Sequence, residues 1–343
     1  MSSNHLTFDI SALANWMRDH VEGYAGSLTV ERFQGGQSNP TYKLVTPECA
    51  YVMRTKPAPV AKLLPSAHAI EREYRVMAAL AASEVPVARM YGLCEDESLI
   101  GRAFYVMEHV EGRVLWDPSL PGMSAAQREA IYDEMNRVLA ALHSVDYRAC
   151  GLTDYGKPGN FFARQIARWS KQYRLSETVS IPAMDALIDW LPANIPREAE
   201  EQVCITHGDY RLDNLMFHPT EPRIVAVLDW ELSTLGHPMA DLGYQCIGWH
   251  IDPVSRGIGG LELPALGIPD EAEYRRRYAA RTGRGDDGYW NFYLAFSLFR
   301  IAAIMQGIVK RAADGTAASP QAMDAGRQAG TMAAIGWKIA LRD

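Results

Sequence analysis

The stretch HGDYRLDN at residues 207–214 decides how this sequence folds and which chemistry it can support. It carries two polar side chains, Asp209 and Asn214, on one loop. Asp229 follows further along, at the end of the apolar run 224–228, which is typical of a strand. A hairpin between loop and strand can bring two carboxylates and one amide oxygen to a single point. Hard oxygen ligands without His or Cys suit Mg²⁺, which is usually bound by one or two carboxylates and the phosphates of a substrate.

The spacing H-x-D-x-x-x-x-N, followed by a metal-binding Asp, is that of the protein-kinase catalytic loop. By that pattern Asp209 is the predicted catalytic base, and Asn214 and Asp229 are the predicted metal ligands. We add His207 and Asp241 to the catalytic set, His207 as a support of the loop and Asp241 as its hydrogen-bonded anchor. An isolated HGD is a common turn, but a loop, a spacing and a strand-terminal Asp together are far more specific.

A glycine-rich turn separates the first two predicted strands. Its paired glycines, Gly35 and Gly36, allow backbone N–H groups to approach phosphate oxygens closely, and Ser38 and Asn39 can add donors. Gly-Gly is also a good plain hairpin turn, which remains the alternative. Because the turn stands in the right order relative to the catalytic loop, we expect it to bind nucleotide phosphates.

The third predicted strand carries a cation for the phosphates. Alternation places Val52, Arg54 and Lys56 on one face, so Val52 is predicted to lie under the base and Arg54 to contact the phosphates. Lys56 is the second choice for the cation. The next helix should supply the partner carboxylate, and we choose Glu73 over Glu71, although either could be a surface charge.

The strand at 103–109 leads out of this region. The backbone N–H and C=O groups at Glu108 and Val110 are predicted to contact the edge of an adenine, with a simple connector as the alternative. Together these residues describe a binding site for ATP and Mg²⁺.

The order of the predicted elements indicates an α+β fold with two lobes. A small N-terminal lobe, residues 1–109, has an antiparallel sheet and one main helix, and a larger, mainly helical lobe, residues 110–343, holds the catalytic and acceptor-binding residues. A capping box at 124–127 begins one of its helices. The predicted strands are 27–32, 42–45, 50–55 and 103–109, the predicted helices are 67–82, 124–143, 161–173, 271–282 and 290–311, and a β-rich segment spans 202–230 with a hairpin turn at 219–222.

Composition excludes several function classes. Lys and Arg number 34 and Asp and Glu 41, a net charge of −7, so the sequence has no basic excess for nucleic-acid binding. The five cysteines form no C-x-x-C pair, which argues against a zinc knuckle and favours a reduced, cytoplasmic setting. No signal peptide is recognisable in the first ten residues. Residues 290–309 are apolar enough to suggest a membrane span, but Arg300 favours a buried core helix and no membrane partner.

Two glycine motifs and several arginines remain. Gly151-x-x-x-x-Gly156-Lys157 lacks the Ser or Thr of a phosphate-binding loop, and the GRGDDG at 283–288 follows a helix, so both are predicted to be ordinary loops. The segment 246–269 can shape an acceptor pocket or be a packed surface loop. The inner position of Arg300 requires a buried carboxylate or a substrate as partner. The arginines that could hold an anionic tail, or merely face solvent, are Arg275, Arg276, Arg277, Arg281 and Arg284.

These motifs together resemble the aminoglycoside phosphotransferase and choline-kinase family, which has a protein-kinase-like fold. The segments LLPSAH at 63–68 and QIARWS at 165–170 are similar to the branch that occurs alone in bacteria or fused to acyl-CoA dehydrogenases. The resemblance implies a kinase that uses ATP and Mg²⁺ and acts on a small hydroxyl compound, with a hydroxyacyl-CoA as one candidate. Arg54 departs from the family, whose antibiotic kinases usually have lysine there.

The predicted function is therefore transfer of the γ-phosphate of ATP to the hydroxyl group of a small molecule. The alternative is a nucleotide-binding pseudokinase or regulatory module without transfer, against which Asp209, Asn214 and Asp229 argue. A protein kinase is less favoured, because no A-P-E-like segment follows Asp229.

Overall fold

The computed structural model describes residues 8–33, 39–57, 69–157, 159–197, 202–314 and 322–342. Gly35, Gly36 and Ser38, and the family-like segment at 63–68, lie outside these residues. The chain divides into two compact units, the first formed by Met1–Arg113, Arg148–Leu152 and Met216–Ser233 and the second by Val114–Tyr147, Thr153–Leu215 and Thr234–Asp343. Each unit is thus assembled from three segments of the chain. The lobe boundary after residue 109 stays a prediction.

The bounds of the regular elements are as follows. The helices are α1 (Ile10–His20), α2 (Ile70–Leu80), α3 (Ala125–Ser144), α4 (Phe161–Ser176), α5 (Pro182–Ala193), α6 (Pro238–Cys246), α7 (Leu263–Leu266), α8 (Glu271–Thr282), α9 (Trp290–Ala313) and α10 (Ala322–Ala340). The strands are β1 (Thr29–Arg32), β2 (Thr41–Val45), β3 (Ala50–Thr55), β4 (Met90–Cys94), β5 (Phe104–Glu108), β6 (Arg113–Val114), β7 (Cys204–Thr206), β8 (Leu215–Phe217), β9 (Ile224–Val227) and β10 (Thr234–Gly236).

The first unit is built on an antiparallel sheet with the strand order β1-β2-β3-β5-β4. Its core includes Leu13 and Met17 of α1, Leu44 of β2 and Phe104 of β5, each with no exposed surface. The register pairs Arg54 of β3 with Tyr105 of β5, which fixes where the cation stands on the sheet.

A second sheet of the first unit, in the order β6-β8-β9, carries the segment that contains Asp229. The predicted hairpin turn is present, since the N–H of His218 donates to the carbonyl of Arg223 at 2.8 Å. After β9 the backbone enters the left-handed region at Asp229, with φ +62°, and a 3₁₀ helix follows over Trp230–Leu232. The buried indole of Trp230 donates to the Val227 carbonyl at 2.9 Å and holds this turn.

The second unit is mainly helical, and its strands β7 and β10 form an antiparallel pair. The capping box that was predicted before α3 is present, with Ser124 and Gln127 bonding each other's backbone N–H groups. The core is aromatic: the ring of Phe162 lies 5.0–5.5 Å from the rings of Phe292, Tyr293 and Phe296.

Helix α9 passes through this core and is buried along most of its length, as the sequence predicted. Within the described ranges it is the one helix long and apolar enough to cross a membrane, and 72% of its most apolar window of 18 residues is buried in the fold.

Candidate active site

The catalytic loop of the second unit begins directly after β7. Gly208, with φ +84°, turns the chain in a conformation that a side chain would strain, and a 3₁₀ helix over Leu212–Asn214 closes the loop. The carboxylate of Asp209 is held at both oxygens: Oδ1 accepts from the hydroxyl of Tyr244 at 2.6 Å, and Oδ2 accepts from Nδ2 of Asn214 at 2.9 Å. The structure thus brings Asp209 and Asn214 together, as predicted from their spacing.

The contact with Tyr244 was not predicted from the sequence. Burial and the neighbouring Asp209 carboxylate raise the pKa of the Tyr244 hydroxyl far above its usual range, so Tyr244 remains a donor at neutral pH. Tyr244 stands one helical turn after Asp241 on α6, and only this periodicity could have indicated that it faces the loop.

Asp241 anchors the catalytic loop from below. Its side chain has no exposed surface, and its two oxygens accept the backbone N–H groups of His207 at 2.6 Å and Gly208 at 2.9 Å. Burial alone would raise the pKa of Asp241, but the hydrogen bonds from His143 and from the N–H of Gly208 bring it below its ordinary value. The hydrogen bonds predicted for Asp241 are therefore present, and through them Asp241 positions the backbone of the catalytic loop.

A buried relay lies behind Asp241. The Nε2 of His143 is 3.3 Å from Oδ2 of Asp241, and the Nδ1 of His143 accepts from the Tyr278 hydroxyl at 2.6 Å. Burial lowers the pKa of His143, so the ring is neutral near pH 7 and Nε2–H is the donor to Asp241. Neither His143 nor Tyr278 was singled out from the sequence.

His207 supports the loop as predicted. Its ring is fully buried, and its Nδ1 accepts the backbone N–H of Asp209 at 3.2 Å. It lies edge-on to Tyr210, with 6.0 Å between ring centres. These contacts fix the backbone on both sides of the Asp209 carboxylate.

The cationic centre of the first unit is Arg54, which lies between two carboxylates. Its Nε is 3.0 Å from Oε2 of Glu73, and its Nη2 is 3.1 Å from Oδ1 of Asp229. Burial would lower the pKa of Arg54, but the carboxylates beside it raise the pKa overall. The predicted choice of Glu73 as partner is confirmed, because Glu71 instead pairs with Lys56 at 3.2 Å on a more exposed part of the unit.

Glu73 is nearly fully buried, and its burial changes the pKa of its carboxyl group. Burial raises its pKa to about 7, against the lowering effect of Arg54 and of the Tyr105 hydroxyl, which donates to Oε2 at 3.1 Å. Oε1 accepts from Nδ2 of Asn39 at 2.8 Å. The side chain of Asn39 is 3% exposed, and its amide is therefore engaged by Glu73; the prediction that Asn39 contributes donors to nucleotide phosphates stays a prediction.

The backbone groups predicted to contact an adenine are only partly available. The N–H of Glu108 donates to the Arg89 carbonyl at 2.8 Å, which leaves the Glu108 carbonyl and both backbone groups of Val110 as the candidates. Val52, the residue predicted under the base, is 8% exposed on β3.

The donor chemistry of Asn214 and Asp229 fits Mg²⁺. Because Nδ2 of Asn214 donates to both the carbonyl and the carboxylate of Asp209, its Oδ1 is the end that can ligate a metal. In Asp229, Arg54 contacts Oδ1, and Oδ2 is the second carboxylate oxygen that could ligate a metal. Among the described residues no group of three or more His, Cys, Asp or Glu could hold a metal ion. The meeting of Asp209, Asn214 and Asp229 at one ion stays a prediction.

Comparison with known proteins identifies the chain's relatives. The sequence profile described as the phosphotransferase enzyme family matches residues 29–289. Acyl-CoA dehydrogenase family member 10 of Mus musculus is 48% identical over 321 residues, which are 93% of this chain and 30% of that protein. The chain thus spans less than a third of the length of this curated relative.

Solved structures give the same result. A Ralstonia eutropha JMP134 protein with the provisional name aminoglycoside phosphotransferase is 68% identical, with a TM-score of 0.91 over 97% of this chain and 98% of that one. A thermostable mutant of the aminoglycoside phosphotransferase APH(4)-Ia, in complex with AMP-PNP and hygromycin B, is 14% identical, with a TM-score of 0.63 over 97% and 100% of the two chains.

The likeness at low identity concerns the fold alone, and it confirms the predicted α+β, protein-kinase-like fold. The dehydrogenase relative confirms the predicted similarity to the branch fused to such enzymes. Since the profile covers most of the sequence and bears out the resemblance found in its motifs, the chain belongs to the phosphotransferase enzyme family.

Proposed function

We propose that this protein transfers the γ-phosphoryl group of ATP to a hydroxyl group of a small molecule. The observation that carries the proposal is the Asp209 carboxylate, fixed at one oxygen by Tyr244 and at the other by Asn214. Asp241 holds the backbone under it. Such a rigid carboxylate suits phosphoryl transfer, in which positioning and electrostatics supply most of the rate.

In the proposed reaction Asp209 orients the acceptor hydroxyl and receives its proton as the oxygen forms a bond to the γ-phosphorus. The bond from that phosphorus to the bridging oxygen breaks, and ADP leaves with the electron pair. Asn214 and Asp229 are the residues that would hold Mg²⁺, which when bound neutralises charge on the phosphates. Arg54, held by Glu73, contributes a fixed positive charge to the nucleotide phosphates.

The finer assignments are supported by the relatives. APH(4)-Ia was crystallised with AMP-PNP and hygromycin B, a nucleotide analogue together with a small molecule, which supports the use of ATP by a protein of this fold. The similarity to acyl-CoA dehydrogenase family proteins favours a hydroxyacyl thioester as acceptor. We place the reaction in the cytoplasm, in keeping with the unpaired cysteines.

A screen of alcohols, hydroxy acids and hydroxyacyl thioesters with γ-labelled ATP and Mg²⁺ tests the proposal. We expect label to appear in at least one hydroxyl compound and to depend on the metal. Calorimetry of Mg²⁺–AMP-PNP should show that Asp229→Ala loses metal-dependent nucleotide binding, whereas Asp96→Ala, in an exposed turn of the same unit, keeps it. Normal binding by Asp229→Ala would refute the assignment of this ligand.

One observation favours a second candidate, a nucleotide-binding module without transfer. Arg54 replaces the usual lysine and is already engaged by both Glu73 and Asp229. If ATP bound while no compound of the screen received label, this second function would replace the first.

A further inference from the structure

A buried arginine lies directly against the catalytic loop. Arg300 of α9 is 8% exposed, and its Nη2 donates to the carbonyl of Gly208, the residue before Asp209. The centre of its guanidinium group is 5.2 Å from the ring centre of Tyr244, which itself holds the Asp209 carboxylate. The positive charge therefore stands on the side of the loop where Asp209 and Tyr244 meet.

A second arginine shares an aromatic surface with the first. The guanidinium groups of Arg168 and Arg300 lie 5.2 and 5.8 Å from the ring centre of Trp169. Burial against neighbouring groups and the charge of Arg300 lower the pKa of Arg168, which shows that the two cations lie in each other's field. Like charges close to one aromatic ring repel each other, and an anion bound near both would offset that repulsion.

Neither cation has an acidic partner in the described part of the chain. No carboxylate there lies within 4 Å of Arg168 or Arg300, whereas Arg211 pairs with Asp213 at 3.1 Å and with Asp209 at 3.6 Å. The indole Nε1 of Trp169, a buried donor, likewise has no hydrogen-bond partner in the part of the chain that the structure describes. Arg168 is exposed, whereas Arg300 and Trp169 are buried, and a buried charge or donor without a suitable partner is costly.

The other arginines of this unit behave differently. The four on α8 that could have held an anionic tail are already paired with acidic side chains. The pairs are Arg275–Asp286, Arg276–Glu273, Arg277–Glu273 and Arg281–Asp133. The remaining candidate, Arg284, donates to the carbonyl of His143 at 2.8 Å. Among the described residues, the absence of an acidic partner thus distinguishes Arg168 and Arg300 from the four arginines of α8.

We propose that Arg168, Arg300 and the Nε1–H of Trp169 form a subsite for an anionic group of the phosphate acceptor, a carboxylate or a phosphate. Planar guanidinium groups bind such oxyanions through paired, charge-assisted hydrogen bonds. The contact of Arg300 with Gly208 places the subsite next to Asp209, so the acceptor carries its anionic group on the same molecule as the reacting hydroxyl. This inference rests on the proposed function for the role of Asp209 but not for the binding of the anion.

Binding without nucleotide tests the subsite independently of phosphoryl transfer. The probes are hydroxyalkanoic acids of four to eight carbons, their neutral methyl esters and their coenzyme A thioesters, each measured by thermal shift and calorimetry at fixed ionic strength. We expect the acids or the thioesters to bind and the methyl esters to bind at least tenfold more weakly. Binding by acids indicates a carboxylate in the subsite, and binding by thioesters but not acids indicates phosphates.

The decisive variant is Arg168→Gln, which removes one cation without loss of a hydrogen bond to any residue that the structure describes. We expect it to weaken anion binding about tenfold, the effect of one charge-assisted hydrogen bond at an exposed position. Arg174→Gln, on the same helix but paired with Asp185 and Glu177, should leave the affinity unchanged.

Three results would overturn the inference: equal binding of acids, thioesters and esters, no binding by any anionic probe, or unchanged anion affinity in Arg168→Gln. These outcomes differ from a failure of the proposed function. If only the proposed function fails, the anions bind and Arg168→Gln weakens their binding, but no compound receives phosphate from ATP.

Discussion

Replacing Asp241 by asparagine removes one charge while keeping the shape of the side chain, and it tests how the catalytic loop is held. The wild-type carboxylate is fully buried and accepts the N–H groups of His207 and Gly208, at 2.6 and 2.9 Å, through its two oxygens. An asparagine has one oxygen and one NH₂ group, so one of these backbone donors would face another donor.

The size of the effect follows from these contacts. A hydrogen bond to a buried charge contributes about 1.5–3 kcal/mol, and an unsatisfied buried N–H costs about 1–3 kcal/mol. We therefore expect Asp241→Asn to lower the free energy of unfolding by about 3–5 kcal/mol. Because Gly208 directly precedes Asp209, we also expect the loop to shift and kcat to fall by about a hundredfold, the cost of a displacement on the order of 1 Å.

Urea denaturation and steady-state kinetics measure the two quantities. The matched control is Asp270→Asn, since Asp270 also accepts a backbone N–H, that of Glu273 at 2.7 Å, but in an exposed helix cap where asparagine serves equally well. The control should change stability by less than about 0.5 kcal/mol. Equal effects of the two substitutions would refute the anchoring role of Asp241.

Two further predictions concern the first unit and a close approach in the second. Burial raises the pKa of Glu73 to about 7 from an ordinary value of 4.5, so between these pH values the folded protein holds a proton that the unfolded chain has lost. As pH rises through this window, the free energy of unfolding of the wild type should therefore fall by up to about 3 kcal/mol relative to that of Glu73→Gln. Parallel curves of unfolding free energy against pH for the two proteins would contradict this. Gly156→Ala should lower the free energy of unfolding by about 1–3 kcal/mol, because its Cβ would lie 2.6 Å from Oγ1 of Thr234 and 2.7 Å from the backbone nitrogen of Leu235. In the control Gly151→Ala the Cβ meets no atom within 4 Å, so this variant would show only the strain of a positive φ. Thermal unfolding measures both variants, and an unchanged stability of Gly156→Ala would contradict the close packing.

The parts that the sequence predicted share a local or periodic signal. Asp209 and Asn214 are five residues apart on one loop, and their contact follows from that spacing. The ion pair of Arg54 with Glu73 follows from strand alternation and helix order, both of which are local rules. The same periodicity located α3, with its capping box, and the buried helix α9.

The parts that were missed depend on contacts between distant segments. Tyr244 reaches Asp209 across 35 positions, His143 reaches Asp241 across 98 and Arg300 reaches Gly208 across 92. No local pattern encodes such pairs, because they depend on how whole helices pack. The bond of Asn39 to Glu73 was missed for the same reason: the buried carboxylate that accepts from its amide lies 34 positions further along, on α2. The helices α1, α5, α6, α7 and α10 and the strands β4, β6 and β10 were also not predicted.

The direct test of the central claim, that Asp209 acts on the acceptor hydroxyl beside Mg²⁺-bound ATP, compares wild type with Asp209→Asn once an acceptor is known. We expect the variant to bind Mg²⁺–AMP-PNP with unchanged affinity in calorimetry. We expect its rate of labelled γ-phosphate transfer to fall by about a thousandfold, in line with the loss of a positioned general base. An Asp209→Asn variant that transfers phosphate at the wild-type rate would contradict the claim.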